Sequence, residues 1–226
     1  MPELPEVEVT RLGIAPHVQG RSISAVRILD GRLRWPVPKN LSKLLLDQKV
    51  EGIQRRGKYL LLEFATGYLL IHLGMTGTLR VLPLSDPIKL HDRVILEFGK
   101  LSLRLHDPRK FGAVLWHPKS KGPLEQNPLL QKLGVEPFSQ EFEGELGAEL
   151  LYQHSRNRSV AVKQFLLAGQ AVVGVGNIYC SESLFQAGIH PAKPAGKLTR
   201  PQCVRLAEAV RFILKKAIDA GGSSLK

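Results

Sequence analysis

Cysteine is almost missing from this sequence. Cys180 and Cys203 are the only two in 226 residues, far apart and outside any CxxC spacing. Their scarcity argues against a disulfide framework or a zinc site built within these residues, and it suits a reducing cytoplasm. Long apolar runs are missing too. Stretches such as YLLLEF and GYLLIHLGM are interrupted by polar residues, and they fall short of the roughly 20 apolar residues that a spanning helix needs. No membrane partner is therefore expected. The first twenty residues mix acids, a histidine and an arginine, which is not the pattern of a secretory signal. Acids are scarce relative to bases, 20 against 32, for a net charge of +12. That excess favours a polyanionic partner, nucleic acid before an acidic membrane surface. What is present is otherwise ordinary: 43% apolar and 23% charged residues, as in a soluble globular chain long enough for one large domain or two small ones.

Periodicity divides the chain. Residues 4–18 read as a helix, with Pro5 near the first turn and Glu6 and Glu8 suited to its positive end. From Arg21 to about Trp116 short strands take over. LSLRLH alternates strictly, RVILEF puts Val94, Leu96 and Phe98 on one side, and KYLLLEF meets GYLLIHL across only Ala65 and Thr66. EFGKLSL predicts a second hairpin turning at Gly99–Lys100. Many short strands with brief turns imply a β-sandwich or barrel. The acidic stretch EPFSQEFEGELGAEL then marks a junction. After it GELGAELLYQHS, SVAVKQFLLAG, NIYCSESLFQAG and TRPQCVRLAEAVRFILKKAIDAG all carry helical apolar faces, the last with Thr199 as N-cap and Pro201 in the first turn. The expected organisation is α+β: a β domain over 1–130, a polar linker over 131–140 and a helical domain over 141–226.

Five segments could carry chemistry. MPELPEVE places a proline directly behind the initiator methionine. Removal of Met1 would expose a secondary amine, and a free α-amine titrates near pH 7.7–8.0, roughly half unprotonated there. In QAVVGVGNIYC, Gly174 and Gly176 make a turn and Asn177 begins a helix whose free N–H groups suit a phosphate. A dinucleotide fingerprint is the weaker reading, because Tyr179 stands where GxGxxG needs glycine or alanine. HLGMTGTLR sets Met75 in a turn, and LHDPRKFG sets Arg109 and Phe111 beside an Asp-Pro turn, where a cation and a ring could wedge into a base stack. RRGKYLLLEF opens with Arg55, Arg56 and Lys58, which suit phosphate contacts.

Taken in order, MPELPEVE, RRGKYLLLEF, HLGMTGTLR, HDPRKFG and GVGNIYCSESLFQAGIHP resemble the bacterial formamidopyrimidine-DNA glycosylases over essentially the whole chain. The resemblance implies an N-terminal helix with an antiparallel β-sandwich, followed by a helical domain holding a helix–two-turn–helix motif. It implies excision of oxidised purines such as 8-oxoguanine and formamidopyrimidines, followed by strand cleavage at the abasic site. In that reading Pro2 attacks the sugar C1′, Glu3 is the general acid/base and Lys58 binds phosphate and assists elimination. Met75, Arg109 and Phe111 fill the stack left by the extruded nucleotide. His91, Arg109 and Arg158 contact DNA, and Lys163 and Asn177 bind phosphate. The partner is double-stranded DNA with oxidised bases or abasic sites, met by a cytoplasmic monomer. Members of the family continue beyond GGSSLK into a four-cysteine zinc hairpin with an arginine for δ-elimination. No such cysteines occur here, so no zinc ligand is assigned, no cofactor is expected within these residues, and these 226 residues alone are expected to bind DNA more weakly and to complete less of the lyase reaction. Two alternatives stay open on the residues: a sister glycosylase for oxidised pyrimidines, and a DNA- or RNA-binding module without catalysis.

Overall fold

The computed structural model describes residues 1–222, so the last four residues of the expected helical domain lie outside the described residues. The chain divides into two compact units. One holds Met1–Pro2 and Val7–Asn127, and the other holds Glu3–Glu6 and the chain from Pro128 onward. The class is α+β, with two antiparallel sheets followed by helices.

The chain opens with helix α1 (Leu4–Val18), and a short helix α2 (Leu41–Leu45) follows the first strand. Oε2 of Glu6 accepts the Glu3 backbone N–H at 2.8 Å, which satisfies one of the donors that a helix start leaves open. In the first unit, Val7, Ile14 and Val18 of α1 are buried. One sheet orders β1 (Ala25–Ile28), β6 (Asp92–Phe98), β7 (Leu101–His106) and β5 (Thr78–Pro83). The other orders β2 (Gly52–Arg56), β3 (Tyr59–Phe64), β4 (Gly67–His72) and β8 (Ala113–Pro118). Both predicted hairpins are present, with Phe64 opposite Gly67 and Phe98 opposite Leu101. Leu60, Leu62, Phe64, Leu69 and Ile71 of one sheet share a core with Val94, Leu96, Phe98, Leu103 and Leu105 of the other. Two sheets around one core make a sandwich.

The strict alternation of LSLRLH predicts a half-exposed strand, and here the structure differs. Ser102 and Arg104 are buried as deeply as Leu103 and Leu105 beside them. The Arg104 guanidinium donates to the backbone oxygens of Pro83 (3.1 Å), Asp86 (2.8 Å) and Pro87 (3.0 Å). The β5–β6 connection therefore wraps over this face and is stapled there by one planar fork. Alternation records chemistry, and it cannot reveal that a distant loop covers the polar side.

In the second unit the helices are α3 (Gly144–Ser155), α4 (Val162–Leu167), α5 (Asn177–Gln186) and α6 (Arg200–Asp219). Thr199 caps α6 as expected. Its side chain accepts from Gln202 N–H while Gln202 accepts the Thr199 N–H, a full capping box with Pro201 in the first turn. Helix α4 begins at Val162, later than its apolar pattern predicts. The residues before it are drawn into pairing with a distant loop: Gly196 N–H bonds Arg158 O, Ala195 N–H bonds Val160 O, and Ala161 bridges Pro194. Leu151, Phe165, Tyr179, Leu184, Leu206 and Val210 form this unit's core. Val135, inside the expected linker, pairs with Val172. Among the described residues no helix is long and apolar enough to cross a membrane.

Candidate active site

Glu3 is 1% exposed, an unusual position for an acid. Its carboxylate is held by backbone alone. Oε2 accepts from Gly176 N–H at 2.8 Å and from Tyr179 N–H at 3.3 Å, and Oε1 accepts from Ile178 N–H at 2.9 Å. These donors lie at the start of α5, where N–H groups have no partner within the helix and the dipole favours negative charge. At the GVGN segment, whose pattern suits a phosphate, these N–H groups hold the chain's own Glu3 carboxylate. Sequence separation hides the match, because the acid lies 173 residues before its first donor. Among the described residues Glu3 makes no ion pair. Beside it, Glu6 accepts the Tyr179 hydroxyl at 2.6 Å and the Glu3 N–H at 2.8 Å, which fixes the peptide that links Pro2 to Glu3.

In the first unit a cleft of about 620 Å³ is lined by Met1, Arg34, His72, Met75, Arg109 and Phe111, among others. Pro2 is half-buried. Met75 and Phe111 are 38% and 45% exposed, and the Arg109 guanidinium lies 4.7 Å over the Phe111 ring. Two loops carry these residues, and each is pinned. Asp107 accepts the Gly112 N–H at 2.8 Å, closing the DPRKFG loop. His72 Nδ1 accepts the Gly74 N–H at 2.9 Å, closing the loop of Met75. The loops also meet backbone to backbone: a Cβ on Gly74, whose φ is +66°, would lie 2.4 Å from the Phe111 carbonyl carbon. Lys110, with φ of 60°, reaches Asp30 at 2.7 Å, and Arg32 and Lys110 hold the Asp30 carboxyl well below the usual carboxylate range.

His72, Arg34, Lys110 and Asp30 were not legible as site residues. His72 carries a titration of its own. Burial first, then the charges of Lys58 and Arg34, push its imidazole down to about 4. A neutral Nδ1 is also what a backbone N–H donor requires. The folded value lies below the unfolded one near 6.5, so His72 contributes stability in full above about pH 6.5 and loses it as pH falls toward about 4. His72→Gln keeps an acceptor but cannot titrate. Its melting temperature is expected to vary less than the parent's across that window, by on the order of 1–3 kcal/mol in stability at the acid end. Parallel profiles for the two proteins would contradict this.

The other expected site residues fall into smaller groups. Lys58 occupies the turn of the β2–β3 hairpin, within electrostatic reach of His72. His91 approaches Arg93 at 3.2 Å and lies edge-on to His106, with 5.8 Å between ring centres. Arg158 is exposed on the loop after α3. Lys163 and Asn177 come together through Ser181, whose hydroxyl accepts from Lys163 Nζ at 3.0 Å and donates to Asn177 O at 2.9 Å. Cys180 and Cys203 are both buried in the helical core, and among the described residues no three His, Cys, Asp or Glu side chains cluster as metal ligands would.

A family model described as the formamidopyrimidine-DNA glycosylase N-terminal domain matches residues 1–114, and one described as the formamidopyrimidine-DNA glycosylase H2TH domain matches residues 133–226. The chain is 84% identical over 226 residues to a formamidopyrimidine-DNA glycosylase of Polynucleobacter necessarius, covering 100% of this chain and 81% of that protein. A Bordetella avium relative of the same description is 54% identical with the same coverage. Among solved structures, the Lactococcus lactis formamidopyrimidine-DNA glycosylase bound non-covalently to DNA with an abasic site superposes with a TM-score of 0.89 at 33% identity, covering 99% of this chain and 83% of that one. The wild-type Lactococcus enzyme with DNA containing N7-benzyl-Fapy-dG gives 0.91 at 32% identity, covering 100% and 82%.

Proposed function

Since the chain belongs to the formamidopyrimidine-DNA glycosylase family, base-excision repair enzymes for oxidised purines, we propose that the amine of Pro2 is its nucleophile and Glu3 its acid/base group. Once Met1 is removed, the Pro2 nitrogen attacks C1′ of the damaged nucleotide and the base leaves with the electrons of the glycosidic bond. Glu3 supports opening of the sugar ring by proton transfer at the ring oxygen. The resulting iminium has no N–H to lose, so it stays cationic and draws electrons from C2′. Loss of a C2′ proton then expels the 3′ phosphate and cuts the strand. Lys58 assists that elimination beside a phosphate. Every step is carried by side chains and the terminal amine, so no cofactor enters it.

One observation carries this reading. Glu3 is buried next to Pro2 and held by three backbone N–H groups rather than by a cation. An acid kept for structure is ordinarily paired when buried. This one keeps lone pairs that no arginine or lysine occupies. Met75, Arg109 and Phe111 are the residues that fill the vacated stack, and their shared cleft and exposure support it. His91, Arg158, Lys163 and Asn177 hold the backbone, which positions the duplex without reading its bases. The enzyme acts as a monomer in the cytoplasm.

A panel of duplexes tests the assignment. Strands with 8-oxoguanine or a formamidopyrimidine should be cut well ahead of strands with an oxidised pyrimidine. Preference for the pyrimidine lesions would move the protein to the sister activity, and binding without incision would reduce it to a DNA-binding module.

A further inference from the structure

We propose that Gly176 is a positioning residue for the acid/base group: the side chain it lacks is the space in which the Glu3 carboxylate sits. This rests on the role given to Glu3 above. A Cβ built on Gly176 would fall 2.3 Å from Glu3 Cδ, 2.6 Å from Cγ and 2.6 Å from Oε1. Those are the three nearest atoms, and all three belong to this one side chain. The conformation of Gly176 does not call for glycine, since φ of −115° and ψ of −159° are extended values open to any L-residue. Gly174, two residues earlier, is the contrast. Its φ is +89°, and a Cβ there would strike Leu4 at 2.4 Å, so both strain and packing require glycine. The two glycines of GVG therefore serve different ends, the first the chain's path and the second the acid's seat.

The same residue also donates. The Gly176 N–H binds Glu3 Oε2 at 2.8 Å, the shortest of the three bonds. Close approach and donation come from one backbone unit, so an added methyl group must push the carboxylate off its donors. It need not alter the helix, whose first turn still closes through Cys180 N–H to Gly176 O.

The test compares the full chain, freed of Met1, with its G176A, E3A and G176A/E3A variants. Each is assayed on duplex carrying 8-oxoguanine and, separately, on duplex carrying a preformed abasic site with borohydride present. An abasic sugar is already partly open as its aldehyde, so adduct formation there depends far less on Glu3. G176A is expected to lose about 10²-fold or more in excision, the scale of a displaced acid/base group. Its trapping on the abasic duplex should stay close to the parent's. In the E3A background the same G176A change should cost neither further activity nor melting temperature, because the atoms it strikes are gone. Should G176A fail to fold with Glu3 present, folding of the double variant still supports the proposal. Excision at the parental rate, proportionate loss on both duplexes, or an equal melting-temperature cost in both backgrounds would overturn it. If instead E3A itself excises normally, the role of Glu3 fails and not its seating.

Discussion

Protein that keeps Met1 is expected neither to excise 8-oxoguanine nor to yield a borohydride-trapped adduct on DNA. With Met1 in place the Pro2 nitrogen is a tertiary amide, whose lone pair is delocalised into the carbonyl. It has no proton to lose and no nucleophilicity to offer. Removing an enzymic nucleophile costs about 10⁴-fold or more in rate, so the drop should be far outside assay scatter. Met1 also lines the cleft with Arg34, His72, Met75 and Arg109, and a retained methionine would take room there. Blocking methionine aminopeptidase during expression gives the capped form, and intact mass verifies it. Pro2→Gly is expected to lose the adduct as well, because the imine of a primary amine is cationic only when protonated. Normal incision by the capped protein would refute the nucleophile assignment.

The second large effect concerns Glu3→Gln. Excision is expected to fall by about 10²–10⁴-fold, the range for loss of a positioned acid/base group, while cleavage of a preformed abasic site persists. Stability should fall too. Both carboxylate oxygens accept backbone N–H groups, and an amide can turn only one oxygen toward them. Its NH₂ then faces a donor, and an unsatisfied buried group costs about 1–3 kcal/mol. Parallel melts and single-turnover rates separate the two losses. Equal decline on lesion and abasic substrates would place Glu3 outside ring opening.

Local pattern foretold much of this molecule. The Phe64–Gly67 and Phe98–Leu101 hairpins, the core face of Val94, Leu96 and Phe98, and the Thr199 cap follow from residues within a few positions of one another. Features set by distant partners were not legible. Arg104 looks solvent-facing until the Pro83–Pro87 segment folds over it. Helix α4 loses its first turn to a loop more than thirty residues away. GVGN was recognisable as an anion seat because helix starts are chemically alike, yet nothing nearby in sequence named Glu3 as its occupant. Asp30 and His72 sit in unremarkable strand-and-turn contexts, and only the folded loops bring them to Lys110 and Gly74.

The backbone contact between the loops at Gly74 and Phe111 has a consequence for binding. A Cβ at Gly74 has no room against Phe111, so under the role proposed above Met75 and Phe111 would reach a duplex on two backbones already packed together. Part of the cost of ordering a mobile wedge would then have been met during folding, and DNA would meet a tool whose frame is already assembled.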